Sequence, residues 1–262
     1  MTVTVARETR PEGGFVARVT IDRAAKLNAL DRALMGEIIE AMTALAEDPE
    51  LRLAVVTGAG GRAFIGGADV DELTALDGDS ARHFITAVHV CCDAFRRLPV
   101  PAIARIDGYA LGAGLELAAS CDFRIASERS TLGMPEVRIG LPSVVEAALL
   151  PKLVGPSRAR RLLLTGENIG AAQALDWGLV DKVVPATELD AAVEELAAPI
   201  LASGPHAIRL QKSLILDWEE RHVTGAVERG IEAFVDAFAT DEPRRMTGAA
   251  RAALQARRKA RQ

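Results

Sequence analysis

The feature that most constrains this chain is an alternation of short, largely apolar runs ending in glycine with segments of helical period. "LRLAVVTGAG" starts at residue 51 and "VPAIARIDG" at residue 100. Strands apolar along their whole length are buried on both faces, as in a sheet with helices laid against it. Between them, Asp31 suits a helix N-cap, and Leu34, Ile38, Met42 and Leu45 follow at helical spacing. A second helix is predicted over 80–97, with a stripe of Phe84, Val88, Cys91, Cys92 and Phe95. At the start, "VTVARE" and "FVARVTI" flank "RPEGG" and read as a hairpin. "GAGLELAAS" reads as a short helix and "CDFRIAS" as a strand. From Ser143 onward the strands nearly stop. Helices are predicted at 143–154, 156–164 and 171–177, then a short strand in "LVDKVV", then helices at 187–202, 205–218, 222–239 and 241–258. The alternation predicts an α/β fold. Residues 1–200 form its core and 201–262 a helical C-terminal region.

Composition narrows the function classes. Of 262 residues, 49% are hydrophobic and 26% charged, an ordinary balance for a globular chain. Aromatics are only 4%, so small aliphatic side chains must fill the core. The net charge of −5 gives no global basic field and argues against a nucleic-acid partner. The basic tail "ARRKARQ", 256–262, reads either as a solvated helix end or as a cluster that meets a phosphate-bearing ligand. Cys91, Cys92 and Cys121 are odd in number and form no C-x-x-C, so neither a disulfide framework nor a zinc site is expected. His83 and His89 are six apart, not the spacing of a helical metal pair, and no metal is expected. "MTVTVARETR" has no secretory pattern and no apolar run reaches membrane-spanning length, so a cytoplasmic protein with no membrane partner is expected.

Two stretches place small residues after a strand and before a helix: "GRAFIGGADVDEL", 61–73, and "GYALGAGLEL", 108–117. A helix start leaves N–H groups unpaired and partly positive, and small residues let a ligand approach them. Two such turns facing each other form an oxyanion hole for an enolate or a tetrahedral intermediate. Taken singly, the glycines serve equally well to tighten turns. No dinucleotide-binding fingerprint, phosphate loop or G-x-S-x-G elbow is present, so no nucleophile accompanies the hole.

Two carboxylates belong with these turns. Glu116 lies three residues after Ala113, on the same helix face, and is either a helix-dipole partner or a site residue. Glu136 follows Pro135 in "TLGMPEVRIGLP" and alone reads as a loop carboxylate. Together, near an oxyanion hole, they can divide acid and base duties. Glu146 is read differently: "SVVE", 143–146, matches a capping box with Ser143 as N-cap.

With these residues in view, "AFIGGADVDEL" and "PAIARIDGYALGAGLELAASCDFRIAS" resemble the crotonase superfamily, the enoyl-CoA hydratase/isomerase group. "KLNALD" at 26–31, "LLLTGENIGAAQALDWGLVDKVVP" at 162–185 and "AFATDEPRRMTGAARAAL" at 237–254 extend the resemblance over almost the whole chain. It implies a spiral of repeated β-β-α turns followed by a helical region that forms trimers or dimers of trimers. It implies that the N–H groups of Ala68 and Ala113 hold a thioester oxygen and that Glu116 and Glu136 are the two glutamates of a hydratase. Lys26, Ala29, Gly66, Ala68, Asp69, Val70 and Ala113 fall at positions that bind the coenzyme A thioester. Phe234 and Arg257 fall where some relatives reach a neighbouring subunit's ligand. The activity implied is hydration of a 2-enoyl-CoA to a 3-hydroxyacyl-CoA, with no cofactor beyond the coenzyme A of the substrate. Alternatives on the same fold are a Δ3-Δ2 isomerase, an acyl-CoA hydrolase or a non-catalytic binding member. The chain departs from the group's common glycine at Ala113 and from its glycine-rich stretch at "GLPSVVEAALLP", which lines the acyl pocket in relatives.

Overall fold

A computed structural model describes residues 2–259. The opening hairpin joins β1 (Thr2–Thr9) to β2 (Phe15–Asp22), antiparallel in unbroken register from Thr2 opposite Asp22 to Thr9 opposite Phe15. Helix α1 (Arg32–Ala46) follows, capped by Asp31, whose carboxylate accepts the Leu34 N–H at 2.8 Å. Its buried face is Leu34, Ile38, Met42 and Leu45, the stripe that the spacing predicts, with Met35 buried beside them.

Three strand–strand–helix turns come next. The first is β3 (Leu51–Gly58), β4 (Ala63–Ile65), the single turn α2 (Val70–Thr74) and α3 (Gly78–Arg96). The second is β5 (Ala102–Ile106), β6 (Tyr109–Leu111) and α4 (Ala113–Ser120). The third is β7 (Phe123–Ser127) and β8 (Thr131–Gly133), leading through 3-10 turns to α5 (Leu150–Val154) and α6 (Pro156–Thr165). Then come β9 (Asn168–Gly170), α7 (Ala171–Asp176), β10 (Lys182–Val184) and α8 (Leu189–Leu201).

The first strand of each turn joins one sheet and the second joins another. The larger sheet has the order β1-β2-β3-β5-β7-β10 and the smaller β4-β6-β8-β9. Within the larger sheet β2, β3, β5, β7 and β10 are parallel neighbours. The interior strands are covered on both faces, which explains runs such as Leu51–Val56 with every residue buried. Arg124 is buried on β7 because carbonyls receive it: its guanidinium donates to Leu179 O at 2.8 Å and Cys121 O at 2.7 Å.

The segment at 143–154 departs from the predicted single helix. Val144 is extended (φ −135°, ψ −158°), Val145–Leu149 is a 3-10 turn, and the α-helix begins only at Leu150.

The chain divides into two compact units, Met1–Ala197 and Ala198–Gln262, the division falling within the last turn of α8. The second unit holds α9 (Pro205–Glu220), α10 (Val223–Ala237) and α11 (Glu242–Lys259). Glu242 ties its helices together: its carboxylate accepts the N–H groups of His206 at 3.2 Å and Ala207 at 3.0 Å, capping α9 from the start of α11.

Candidate active site

Strands β4, β6 and β8 run parallel and side by side in the small sheet, so their carboxyl ends lie together. Ligands of α/β folds gather at such ends. Each strand end delivers one part of a site.

After β4, Leu30 and Ala68 form an isolated parallel bridge. Leu30 N–H donates to Gly67 O and Asp69 N–H to Leu30 O, both at 2.8 Å. A parallel bridge of this kind uses the groups on either side of Ala68 and turns the Ala68 N–H away from Leu30. Gly66 N–H is likewise taken by Leu27 O at 2.8 Å. Among the hydrogen bonds of the described residues, the Ala68 N–H has no acceptor.

After β6, Gly112 turns the chain into α4 with φ 51° and ψ −122°. Its own N–H is spent on Gly133 O (2.9 Å), and its carbonyl accepts Leu115 and Glu116 N–H (2.8 and 2.9 Å). The Ala113 N–H, at the first position of the helix, has no acceptor among the described residues. Positive φ at Gly112 leaves Ala113 free to take an ordinary helical conformation. A Cβ on Gly112 would stand 2.3 Å from Glu136 Oε1 and 4.0 Å from the Gly67 Cα. The glycine is therefore what lets the Glu136 carboxylate lie against this turn, and the two glycine turns touch each other.

After β8, the chain passes Pro135 into the 3-10 turn Glu136–Ile139. Glu136 is half-buried and its Oε2 accepts the Ser143 hydroxyl at 2.7 Å. Glu116 is buried with the whole of α4, at 4% exposure. Its partner comes from outside its own helix: the Ala147 N–H donates to Oε1 at 3.2 Å. Burial above all, then the charges of Glu136 and Glu146, push its acid up to about 8 against the Ala147 hydrogen bond.

Ala68, Ala113, Glu116 and Glu136 all line one cavity of about 720 Å³. Its remaining wall is largely apolar, including Phe84, Ile85 and Val88 of α3 and Leu141 and Val144 of the following loop. Two residues with unspent N–H groups and two carboxylic residues thus line one largely apolar space. Such a site can hold an oxygen that gains negative charge and move protons beside it.

Lys26, Ala29, Gly66, Asp69 and Val70 surround the Ala68 turn and do not line the cavity. Asp69 is committed to structure. It caps α2 through the N–H groups of Asp71 and Glu72 and accepts Arg23 at 2.5 Å. Burial raises its acid, but Arg23 and the two N–H groups outweigh that and hold it below the usual carboxylate range. Lys26 is exposed and pairs with Asp71 and, at 3.5 Å, with Asp69. Ala29 O accepts Arg23 at 2.9 Å, and Val70 is exposed. Phe234 lies on α10, exposed, with its ring edge-on to Phe238. The side chain of Arg257 and the basic tail around it lie outside the described residues.

The capping-box reading of "SVVE" is corrected. Ser143 donates its hydroxyl to Glu136 and caps nothing, because the chain at Val144 is extended. Glu146 points inward at 6% exposure and its Oε1 lies 2.6 Å from His89 Nδ1 on α3. The roles of Ser143, Ala147 and His89 escape a reading by motif. Each meets a carboxylate outside any local motif, 7, 31 and 57 residues away, and Ala147 does so through its backbone N–H.

The enoyl-CoA hydratase/isomerase family matches residues 12–257. Crotonyl-CoA hydratase of Syntrophomonas wolfei is 37% identical over 228 residues, 87% of this chain and 88% of that protein. Short-chain-enoyl-CoA hydratase of Clostridium acetobutylicum is 37% identical over 233 residues, again 87% and 88% of the two chains. The crystal structure of enoyl-CoA hydratase from Bacillus anthracis superposes with a TM-score of 0.88 at 32% identity, covering 99% of this chain and 97% of that one. The paired sheets built from repeated β-β-α turns, and the matches along almost the whole length, carry one conclusion: the chain belongs to the enoyl-CoA hydratase/isomerase family of the crotonase superfamily.

Proposed function

We propose that the chain adds water across the double bond of a 2-enoyl-CoA, giving a 3-hydroxyacyl-CoA. The observation that carries this reading is the convergence of the Ala68 and Ala113 N–H groups with the Glu116 and Glu136 carboxyls on one cavity. The thioester oxygen accepts both N–H groups, which makes Cβ electrophilic. Water stands between the two glutamates. Its oxygen bonds to Cβ, the π pair moves toward the thioester oxygen as an enolate, and Cα takes a proton as the enolate collapses. The glutamate pair accepts one proton from water and returns one to Cα, so its net protonation is unchanged. Burial, with the charge of Glu136, pushes the Glu116 acid up to about 8, which keeps a proton on it near neutral pH. Each N–H donor of such a hole is worth on the order of 3 kcal/mol of barrier.

Coenzyme A serves as the substrate's handle, and the reaction requires neither metal nor redox cofactor. Lys26, Ala29 and the turn at residues 66–70 are placed to meet that handle, with Gly66 and Asp69 acting through shape, since their N–H groups are already spent. The chain assembles as a homotrimer or dimer of trimers through its second unit, where Phe234 and Arg257 serve a neighbour's ligand. The apolar face that α10 exposes supports the assembly. A cytoplasmic setting accords with three cysteines that are free and buried. No helix of the described residues is long and apolar enough to cross a membrane.

The test is hydration of crotonyl-CoA by the purified chain, followed by loss of the conjugated absorbance and by product mass. Glu116→Ala and Glu136→Gln are each expected to lower turnover at least about a hundredfold. Near-normal turnover in either variant overturns the two-glutamate mechanism. A chain that converts 3-enoyl-CoA to 2-enoyl-CoA without adding water is an isomerase.

A further inference from the structure

The turn that delivers the Ala147 N–H to Glu116 is itself held in an unusual way. Val145 has φ +39°, a conformation that a β-branched residue adopts only under constraint. The next residue, Glu146, is 6% exposed and is drawn toward α3, where His89 Nδ1 lies 2.6 Å from its Oε1. The other carboxyl oxygen, Oε2, is buried with no hydrogen-bond partner. A buried carboxyl with an orphan oxygen is costly, so its retention calls for a use. His89 leaves half its side chain exposed, so the pair links the surface to the interior. One residue beyond Glu146, the backbone N–H meets Glu116 Oε1 at 3.2 Å.

We propose that the His89–Glu146 pair is a positioning device for Glu116: it clamps the strained turn at residues 145–147 to α3 and so fixes the Ala147 N–H on the buried carboxyl. The pair touches neither the cavity nor a substrate within it; Val144 lines the wall, and Glu146 stands behind it. A second effect is electrostatic. The groups facing Glu146 are His89 and Asp93 on α3, the buried thiols of Cys91 and Cys92, and Glu116 on α4, with Glu136 beyond. Lys152 on α5 is exposed. Burial raises the Glu146 acid and His89 opposes that rise. Glu146 in turn adds to the upward push on Glu116.

The proposal rests on Glu116 being a member of the catalytic pair, and its test is arranged to separate the two ideas. Crotonyl-CoA hydration is measured for the wild type and for Glu116→Gln, His89→Ala, His89→Gln and Glu146→Gln, with kcat, KM, a pH profile and a melting curve for each. His89→Ala is expected to lose about tenfold or more in kcat with KM within about twofold, the size typical of a lost supporting partner. His89→Gln, which restores a donor to Glu146, is expected to recover most of the loss. Glu146→Gln removes a charge that helps push the Glu116 acid up, so the pH arm set by Glu116 should move to lower pH. A wild type that hydrates, a Glu116→Gln variant that does not, and His89 and Glu146 variants equal to wild type in kcat and pH profile overturn the clamp alone. Losses in the His89 and Glu146 variants that follow melting temperature, with no pH displacement and no recovery in His89→Gln, overturn it as well. A Glu116→Gln variant at full rate overturns the two-glutamate reading and the clamp with it.

Discussion

A carboxyl held in the interior near other carboxyls destabilises the chain that holds it, and Glu116 shows in which direction pH should move that cost. Its acid lies at about 8 in the folded chain against 4.5 in the open. Between those values the folded state keeps a proton that the unfolded state has released, so stability falls as pH rises through that window. At pH 8 the cost is on the order of a few kcal/mol. Glu116→Gln is therefore expected to melt above the wild type, with a gap that is small at pH 5 and widens toward pH 8, while hydration is lost. Melting curves at a series of pH values check this, and a gap independent of pH contradicts it. Gly112 gives a second residue-scale outcome. Alanine there meets Glu136 Oε1 at 2.3 Å and must also keep φ at 51°. Gly112→Ala should lower kcat at least about a hundredfold by displacing the carboxylate and the adjacent N–H donor. Glu116 stood out in the sequence as a candidate because an ionisable group in a run of Gly, Ala and Leu is out of place unless used, whereas Glu136, alone a loop carboxylate, became a candidate only beside it. Glu146 did not stand out. Ser143 and Glu146 match the spacing of a local cap, and nothing in a linear motif reveals a partner 57 residues away on another helix.

At the scale of elements, the hairpin, the long strands and the amphipathic helices follow from pattern, and the second sheet does not. Strands β4, β6, β8 and β9 have three residues each, too few for alternation to register against the glycines around them. They exist because neighbouring strands remote in sequence supply their hydrogen bonds, parallel among β4, β6 and β8 and antiparallel between β8 and β9, a tertiary effect that local propensity does not contain. Resemblance to a family of β-β-α spirals supplied what periodicity lacked. These short strands are what bring the two glycine turns and Glu136 to one edge, so the least legible elements are the ones that build the site. The single-turn helix α2 sets the β4 end of that arrangement. Asp69 caps it with two N–H bonds and binds Arg23, one residue beyond the Ala68 N–H. Asp69→Ala should cost about 2 kcal/mol, from a lost cap and a broken, largely buried pair. It should also lower kcat, because the hole loses the frame of one of its two donors. Urea unfolding together with crotonyl-CoA kinetics measures both; a destabilised variant with undiminished kcat separates the cap from the hole.

At the scale of the whole molecule, the second unit poses a problem of exposed surface that one copy of the chain leaves unsolved. On α10 and its C-cap, Val223, Val227, Ile231, Phe234 and Phe238 recur at intervals of three and four, so they share one helix face, and all are exposed, Val223 at 80% and Phe234 at 70%. Val235 beside them is exposed at 65%. Single exposed apolar residues are ordinary, but a continuous apolar stripe along a fifteen-residue helix marks an interface. Most of the helix's buried contacts are with α9, through Trp218, whose indole N–H reaches Ala226 O at 3.2 Å, and through Arg229, which pairs with Asp217. Those contacts use the opposite side and leave the stripe uncovered. Covering it with the same stripe or a complementary surface of another copy removes large apolar side chains from water at about 25 cal/mol per Å². Charges placed there would have to be buried unpaired, which assembly does not tolerate. Sedimentation velocity of the wild type should therefore give more than one copy, three or six being what the family resemblance implies, and Ile231→Asp combined with Phe234→Asp should shift it to one. The hydrophobic core of the first unit is built from residues between Phe15 and Val180, so the variant should keep the secondary-structure signal of the wild type. Loss of hydration in a folded single copy, recovered on mixing with a Glu116→Gln chain that retains the stripe, would tie the assembly to catalysis. A wild type that sediments as one copy removes the assembly, and with it the role assigned to Phe234 and Arg257.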